Sequence, residues 1–198
     1  MALSVLIVMG SDSDFDQVAP AWKVLESLGV RYDVTVASAH RSPDRGVALA
    51  RGARDKGFGV VLAAAGGAAH LAGVIAAHTT LPVVAVPIVF GTLGGVDALL
   101  SAVQMPGGVP IASVGIGGAR NAGFFAAAIL SSTDREVAAR LESFREEQGK
   151  NVTEADGRVQ AKLGRSSRAG RALGTSLAAR WPRDYPAGPC IASSSPTP

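Results

Sequence analysis

Apolar and polar positions along the chain change period in a regular way, from continuous runs of strand length to stripes with helical spacing. Ser4 to Met9 (SVLIVM) is an unbroken apolar run closed by Gly10. Phe15 to Leu28 then carries Val18, Ala21, Trp22 and Leu25 on one helical face. Arg31 to Ala37 alternates as a strand does. Ser42-Pro43-Asp44 opens a helix, with Ser42 as N-cap and Pro43 at the first helical position, running to about Lys56 before Gly57 stops it. Further strands are predicted at Val60 to Ala64, Val83 to Val86 and Ile111 to Val114. Helices are predicted near Ala68 to His78, Asp97 to Gln104 and Asn121 to Leu130.

Strand and helix alternate throughout, which implies a parallel sheet covered on both faces and wound by right-handed crossovers. In such sheets ligands bind beyond the carboxyl ends of the strands, where the strand order reverses. The loops after Met9, Ala37, Ala64 and Val86 are therefore the ones to inspect. A last helix, Asp134 to about Gln148, places Val137, Leu141 and Phe144 on one face. Beyond it the chain becomes rich in Arg, Ser, Ala, Gly and Pro without a sustained period and ends in SSSPTP. The expected organisation is a domain over residues 1–150 and a disordered, basic extension over 151–198.

The formal net charge of +3 changes little once located. Residues 1–150 hold 12 Lys/Arg against 13 Asp/Glu, whereas residues 151–198 hold 7 against 3. The folded part is not basic, so nucleic-acid binding is not expected of it. A single cysteine, Cys190, can form neither an internal disulfide nor a thiolate metal cluster. No signal peptide is evident, because the run Ala2 to Met9 lacks a basic leader. From Gly57 to Val96 no Asp, Glu, Lys or Arg occurs, but Gly66, Gly67, His70, Pro82 and Pro87 divide the stretch. The pieces are shorter than the ~20 residues a membrane span needs, and buried parallel strands explain the composition equally well.

Three loops carry residues suited to chemistry. Gly10-Ser11-Asp12-Ser13-Asp14 offers a tight turn, two hydroxyls and a helix N-terminus, which suit a phosphate, and the Asp14 carboxylate suits ribose hydroxyls. Helix capping by the same Ser and Asp residues is the competing explanation. In Ser38-Ala39-His40-Arg41-Ser42-Pro43, Arg41 is shaped for bidentate phosphate recognition and His40 can both give and take a proton. A surface ion pair is the alternative there. Ala64-Ala65-Gly66-Gly67-Ala68-Ala69-His70-Leu71 lets a ligand ring approach the backbone closely, although tight helix–strand packing would use the same residues. His78 reads as a structural histidine at a helix end. No P-loop, G-x-G-x-x-G, H-E-x-x-H or G-x-S-x-G motif occurs at a fitting place. The third strand ends in Ala where a phosphoacceptor Asp would stand, and the later ligand loops are nearly free of the aromatics a flavodoxin would want.

GSDSD, SAHRSP and GGAAHL, followed by GVDALLSAVQMPGGVP and NAGFFAAAIL, resemble the N5-carboxyaminoimidazole ribonucleotide mutases of bacterial purine synthesis. The resemblance covers Ser4 to about Lys150, and five motifs in order make it specific. It implies a three-layer αβα, flavodoxin-like, doubly wound parallel sheet, assembled as a cytoplasmic homo-octamer without cofactor or metal. It also implies a reaction that moves a carboxyl group from the exocyclic nitrogen of a small ribonucleotide to a ring carbon. Carried to matching positions, it makes His40 the general acid and base and Ser11, Asp14 and Arg41 substrate ligands. Ser13, Ser38 and Ala39 would line the site, and Gly66, Gly67, His70 and Leu71 would form the ring and carboxyl pocket. A closed Ala/Gly pocket suits apolar CO2 and excludes water.

A sister group of the same fold carboxylates aminoimidazole ribonucleotide directly with CO2. Its members have Ser and Asn where this chain has Gly67-Ala68-Ala69-His70-Leu71, and R-[ML]-P where it has Gln104-Met105-Pro106, so the resemblance favours the mutase. Ala64, Ala72, Ala98 and His78 depart from the usual Gly, Pro, Ser and Lys. They leave open a related nucleotide carboxylase of secondary metabolism. A nucleotide-sensing module in which His40 is merely structural is the non-enzymatic alternative.

Overall fold

The computed structural model describes residues 3–164. Five strands, β1 (Ser4–Met9), β2 (Tyr32–Val36), β3 (Phe58–Ala65), β4 (Val83–Pro87) and β5 (Ala112–Ser113), form one parallel sheet in the order β2-β1-β3-β4-β5. That order is flavodoxin-like and reverses between β1 and β3. The α/β, doubly wound expectation is met. The three inner strands are nearly continuous runs of buried Val, Ile, Leu and Ala, because parallel strands are covered on both faces.

Two core clusters lie on opposite faces of the sheet. One joins Ile7, Leu62 and Val86 to Val18 and Leu25 of α1 (Phe15–Ser27), Ala126 and Leu130 of α5 (Ala119–Ser131), and Val137 and Leu141 at the start of α6 (Arg135–Lys162). The other joins Leu6, Val8 and Val61 to Ala50 of α2 (Pro43–Gly52), Ile75 of α3 (Leu71–Ala76) and Ala102 of α4 (Val96–Val103). Each fully buried Val, Leu or Ile contributes about 1.5–3 kcal/mol. No polar or charged side chain is buried among the described residues. Helices α1 and α5 approach so closely that a Cβ at Gly123 would lie 2.5 Å from the Ala21 carbonyl oxygen.

Several boundaries differ from the sequence reading. Helix α2 ends at Gly52 rather than near Lys56, and the chain then turns through Gly57 at φ +83°. Helix α3 is shorter than Ala68 to His78, because Gly67 (φ +62°) and a turn closed from His70 N–H to Ala68 C=O delay its start. The fifth strand keeps two residues of the expected four. Compact packing is divided between residues 1–146 and 147–198. Within the second unit α6 continues to Lys162, where disorder was expected from residue 151. Local bonds such as Thr153 Oγ1 to Gly149 C=O and Gln160 Nε2 to Asp156 Oδ1 accompany a helix that is polar on most of its surface. Periodicity does not reveal such a helix, since it has almost no apolar stripe to count. Residues 165–198, the rest of the expected tail, lie outside the described residues.

Candidate active site

The carboxyl ends of β1 and β3, at the point where strand order reverses, open into a cleft of about 430 Å³. Its walls come from four loops. Gly10 is tied to β3 by its N–H on the Ala64 carbonyl (2.9 Å), and Ala37 to β1 by its N–H on the Met9 carbonyl (2.9 Å). The loops after β1, β2 and β3 therefore start in register, although they are far apart in sequence.

In the first loop Ser11 caps a single 3-10 turn, Asp12–Asp14, that leads into α1. Its hydroxyl accepts from the Ser13 N–H (3.3 Å), and Asp14 Oδ2 accepts from the Ser11 N–H (3.2 Å), a capping box. The capping explanation is thus realised, and the same groups line the cleft. Burial pushes the Asp14 carboxyl above its ordinary 3.8. The hydrogen bonds from Ser11 and Ser13 and the charge of Arg41 oppose that rise, and Asp12 adds to it.

The second loop is a small hydrogen-bonded knot. Ser42 stands at the N-cap of α2 with Pro43 following, as expected, but its hydroxyl makes no capping bond. It instead accepts from the Ser38 N–H (3.0 Å) and donates to the Ser38 carbonyl (3.3 Å). Ser38 Oγ in turn accepts from the Arg41 N–H (3.2 Å). Arg41 reaches back with Nη2 to the Gly10 carbonyl (3.3 Å) and donates through Nε to Ser38 Oγ (3.5 Å), joining the second loop to the first on the cleft wall with three guanidinium N–H groups left over. His40 Nε2 lies 2.8 Å from His70 Nδ1, with the rings edge to face at 81°.

Nine of the eleven residues singled out from sequence line this one cleft: Ser11, Ser13, Asp14, Ser38, Ala39, His40, Arg41, Gly66 and Leu71. Gly67 and His70 do not line it. Gly67 makes the turn, and His70 meets the cleft through its bond to His40. Gly10, Ala65, Ala68 and Phe90 line it as well and were not singled out. The first three lie inside motifs already quoted. Phe90 lies in the loop after Val86, a strand end on the ligand edge, but no pattern in that loop marks a ring facing the cleft. His78 bonds the Val74 carbonyl through Nδ1 (2.8 Å), in keeping with a structural role.

Chemically, the cleft offers a proton carrier, a fixed guanidinium, a carboxylate beside two hydroxyls, and a floor of small residues. Among the described residues no group of three or more His, Cys, Asp or Glu could hold a metal ion, and no helix is long and apolar enough to cross a membrane.

Comparison with known proteins agrees on one family. A family model described as AIR carboxylase matches residues 4–151. The N5-carboxyaminoimidazole ribonucleotide mutase of Brucella melitensis is 49% identical over 156 residues, covering 78% of this chain and 96% of that protein. The protein of the same name from Bacillus subtilis is 50% identical over 151 residues, covering 75% and 93%. Among solved structures, Treponema denticola PurE superposes with a TM-score of 0.71 at 26% identity, covering 79% of this chain and 98% of that one.

Proposed function

Since the chain belongs to the AIR carboxylase family, we propose that it is an N5-carboxyaminoimidazole ribonucleotide mutase of purine biosynthesis. It is an isomerase that moves the carboxyl group from the exocyclic nitrogen to a ring carbon. The observation that carries this reading is the position of His40 on the same cleft as Arg41, Asp14, Ser11 and Gly66. The close relatives that bear the mutase name favour this reading over direct carboxylation.

In the proposed route the carbamate C–N bond breaks and releases CO2, while the exocyclic nitrogen takes a proton from His40. The ring carbon then attacks the retained CO2, forming the new C–C bond, and His40 removes the ring proton to restore aromaticity. The imidazole ends as it began, so no external acid or base is consumed. Positioned proton transfer of this kind contributes about 10²–10⁴-fold. Arg41 grips the phosphate, with Ser11 and Ser13 beside it, and Asp14 receives ribose hydroxyls. Ser38 and Ala39 line the site, while Gly66, Gly67, His70 and Leu71 shape the ring and carboxyl pocket. Ala65, Gly66 and Ala68 keep that floor small and dry, so that CO2 stays beside the ring. The loop residues hold these groups, and the route asks for no cofactor.

On this reading the enzyme works in the cytoplasm as a homo-octamer. Exposed Leu93, Val96, Leu100 and Val103, the last three spaced along one face of α4, give a second copy an apolar surface to cover. The catalytic domain is residues 1–150, and the basic extension 151–198 stands outside it.

Supplying the carbamate in bicarbonate-free buffer tests the assignment. Product formation is expected there and not with the unmodified aminoimidazole ribonucleotide. Turnover of the latter only, driven by bicarbonate, would make the protein a carboxylase instead.

A further inference from the structure

The loop after β4 brings a phenyl ring to a cleft whose other large side chains are His40, Arg41 and Leu71. Phe90 lines that cleft and is 66% exposed. Two sets of contacts fix where it stands. Against the floor, a Cβ built at Gly66 would lie 2.8 Å from Phe90 Cβ, so the base of the ring fits only because position 66 is glycine. A Cβ at Gly67 would lie 3.7 Å from Phe90 Cδ1, which sets the ring over the Gly66–Gly67 turn.

From the other side, Gln17 of α1 holds both main-chain polar groups of the preceding residue. Its Nε2 donates to the Val89 carbonyl (3.2 Å), and its Oε1 accepts from the Val89 N–H (3.0 Å). Gln17 itself does not line the cleft. Beyond Phe90 the chain turns through Gly91, Gly94 and Gly95 at φ of +64°, +59° and +90°. The anchor for the ring therefore lies on its N-terminal side, at Gln17.

A phenyl ring exposed on a cleft wall keeps little of its hydrophobic contribution to folding and offers a flat apolar face to a flat partner. Stacking of an aromatic side chain on a base is worth about 1–3 kcal/mol, and it depends on the side chain's being held in place. We infer that Phe90 forms one wall of the heterocycle pocket by stacking on the ring, and that Gln17 is the positioning residue that seats it. The identity of that heterocycle rests on the mutase reading; the stacking role rests on the geometry of Phe90 and Gln17.

Steady-state kinetics with the carbamate and calorimetric binding of the carboxylated ribonucleotide product test this together. Phe90→Ala is expected to raise KM and Kd about tenfold, with kcat changed less, and Phe90→Trp to restore both. Gln17→Met, which cannot bond Val89, is expected to raise KM by a smaller factor. The double variant should then be no worse than Phe90→Ala alone, because Gln17 acts through Phe90. Melting temperature and particle size, measured on the same samples, should stay at the wild-type values. Unchanged KM and Kd in Phe90→Ala, with the wild type active, overturn the stacking role and leave the mutase reading intact. Additive losses in the double variant remove Gln17 from it. A wild type that binds the product without turning over the carbamate overturns the mutase reading, while the binding series still decides for or against Phe90.

Discussion

His40 Nε2 and His70 Nδ1 stand 2.8 Å apart, across thirty residues of chain. One ring must donate and the other accept, so each imidazole fixes the direction of the other. A histidine asked to give and then retake a proton is thereby held in one orientation. His40→Asn should lower kcat by about 10²–10⁴-fold while the ribonucleotide still binds. His70→Phe, which keeps a ring but no bond, should lower kcat by up to about 10²-fold through misplacement of His40. Single-turnover rates measured beside calorimetric affinities separate the two effects; full activity in His40→Asn would remove it from the mechanism.

Arg41 should act on binding. It is exposed, and the loop knot around Ser38 and its bond to the Gly10 carbonyl already fix its direction. A charge-assisted hydrogen bond contributes about 1.5–3 kcal/mol, so Arg41→Ala should weaken ribonucleotide affinity roughly ten- to a hundredfold. Arg41→Lys should recover little of this, because an ammonium lacks the planar fork. An affinity unchanged in Arg41→Ala would argue against a phosphate contact.

Asp14 gives a pH signature. Its carboxyl is raised above 3.8 mainly by burial, so the folded state holds the proton more tightly than the unfolded chain. The ionised group therefore costs stability at neutral pH, and the cost disappears as pH falls through the folded value toward 3.8. Asp14→Asn keeps an oxygen for the Ser11 N–H and should melt above the wild type at about pH 7, with the gap closing by about pH 3.5. Melting curves across that range check the sign; a lower melting temperature at neutral pH would contradict it.

Gly123→Ala should destabilise the fold. Helix propensity favours Ala by about 0.5–1 kcal/mol, but the new methyl meets the Ala21 carbonyl at 2.5 Å, and a neighbouring helix backbone cannot rotate away. Overpacking costs about 1–3 kcal/mol and dominates. Thermal melting should fall by a few degrees with kinetics at low temperature unchanged, whereas an unaltered melting temperature would show that α1 and α5 can part at little cost.

Removing residues 151–198 should leave turnover unchanged, because every cleft residue lies within the first hundred positions. Kinetics of the shortened chain against the full one decide this, and a loss of activity would give the basic extension a part in the enzyme.

The sheet and the three ligand loops were legible because each has a local cause. Unbroken apolar runs such as Ser4 to Met9 leave few alternatives to buried parallel strands, and the strand ends name the loops. What was not legible depends on contacts between segments. The approach of His70 to His40 needs the left-handed turn at Gly67. The inward ring of Phe90 needs Gln17 on a distant helix. Nothing in the sequence around Ser42 shows that its hydroxyl would turn away from its own helix to serve Ser38.

Among the described residues the interior buries no polar or charged side chain, and Ala, Val, Leu and Ile make up most of it. Most of the folding information therefore lies in the layers and most of the chemistry in the loops, with Leu71 and the Ser11–Asp14 capping box serving both. With those shared residues kept, a ligand loop can be rewritten for a new heterocycle while the layers beneath stay as they are, which makes this chain a natural starting framework for retargeting carboxyl migration to other ring systems.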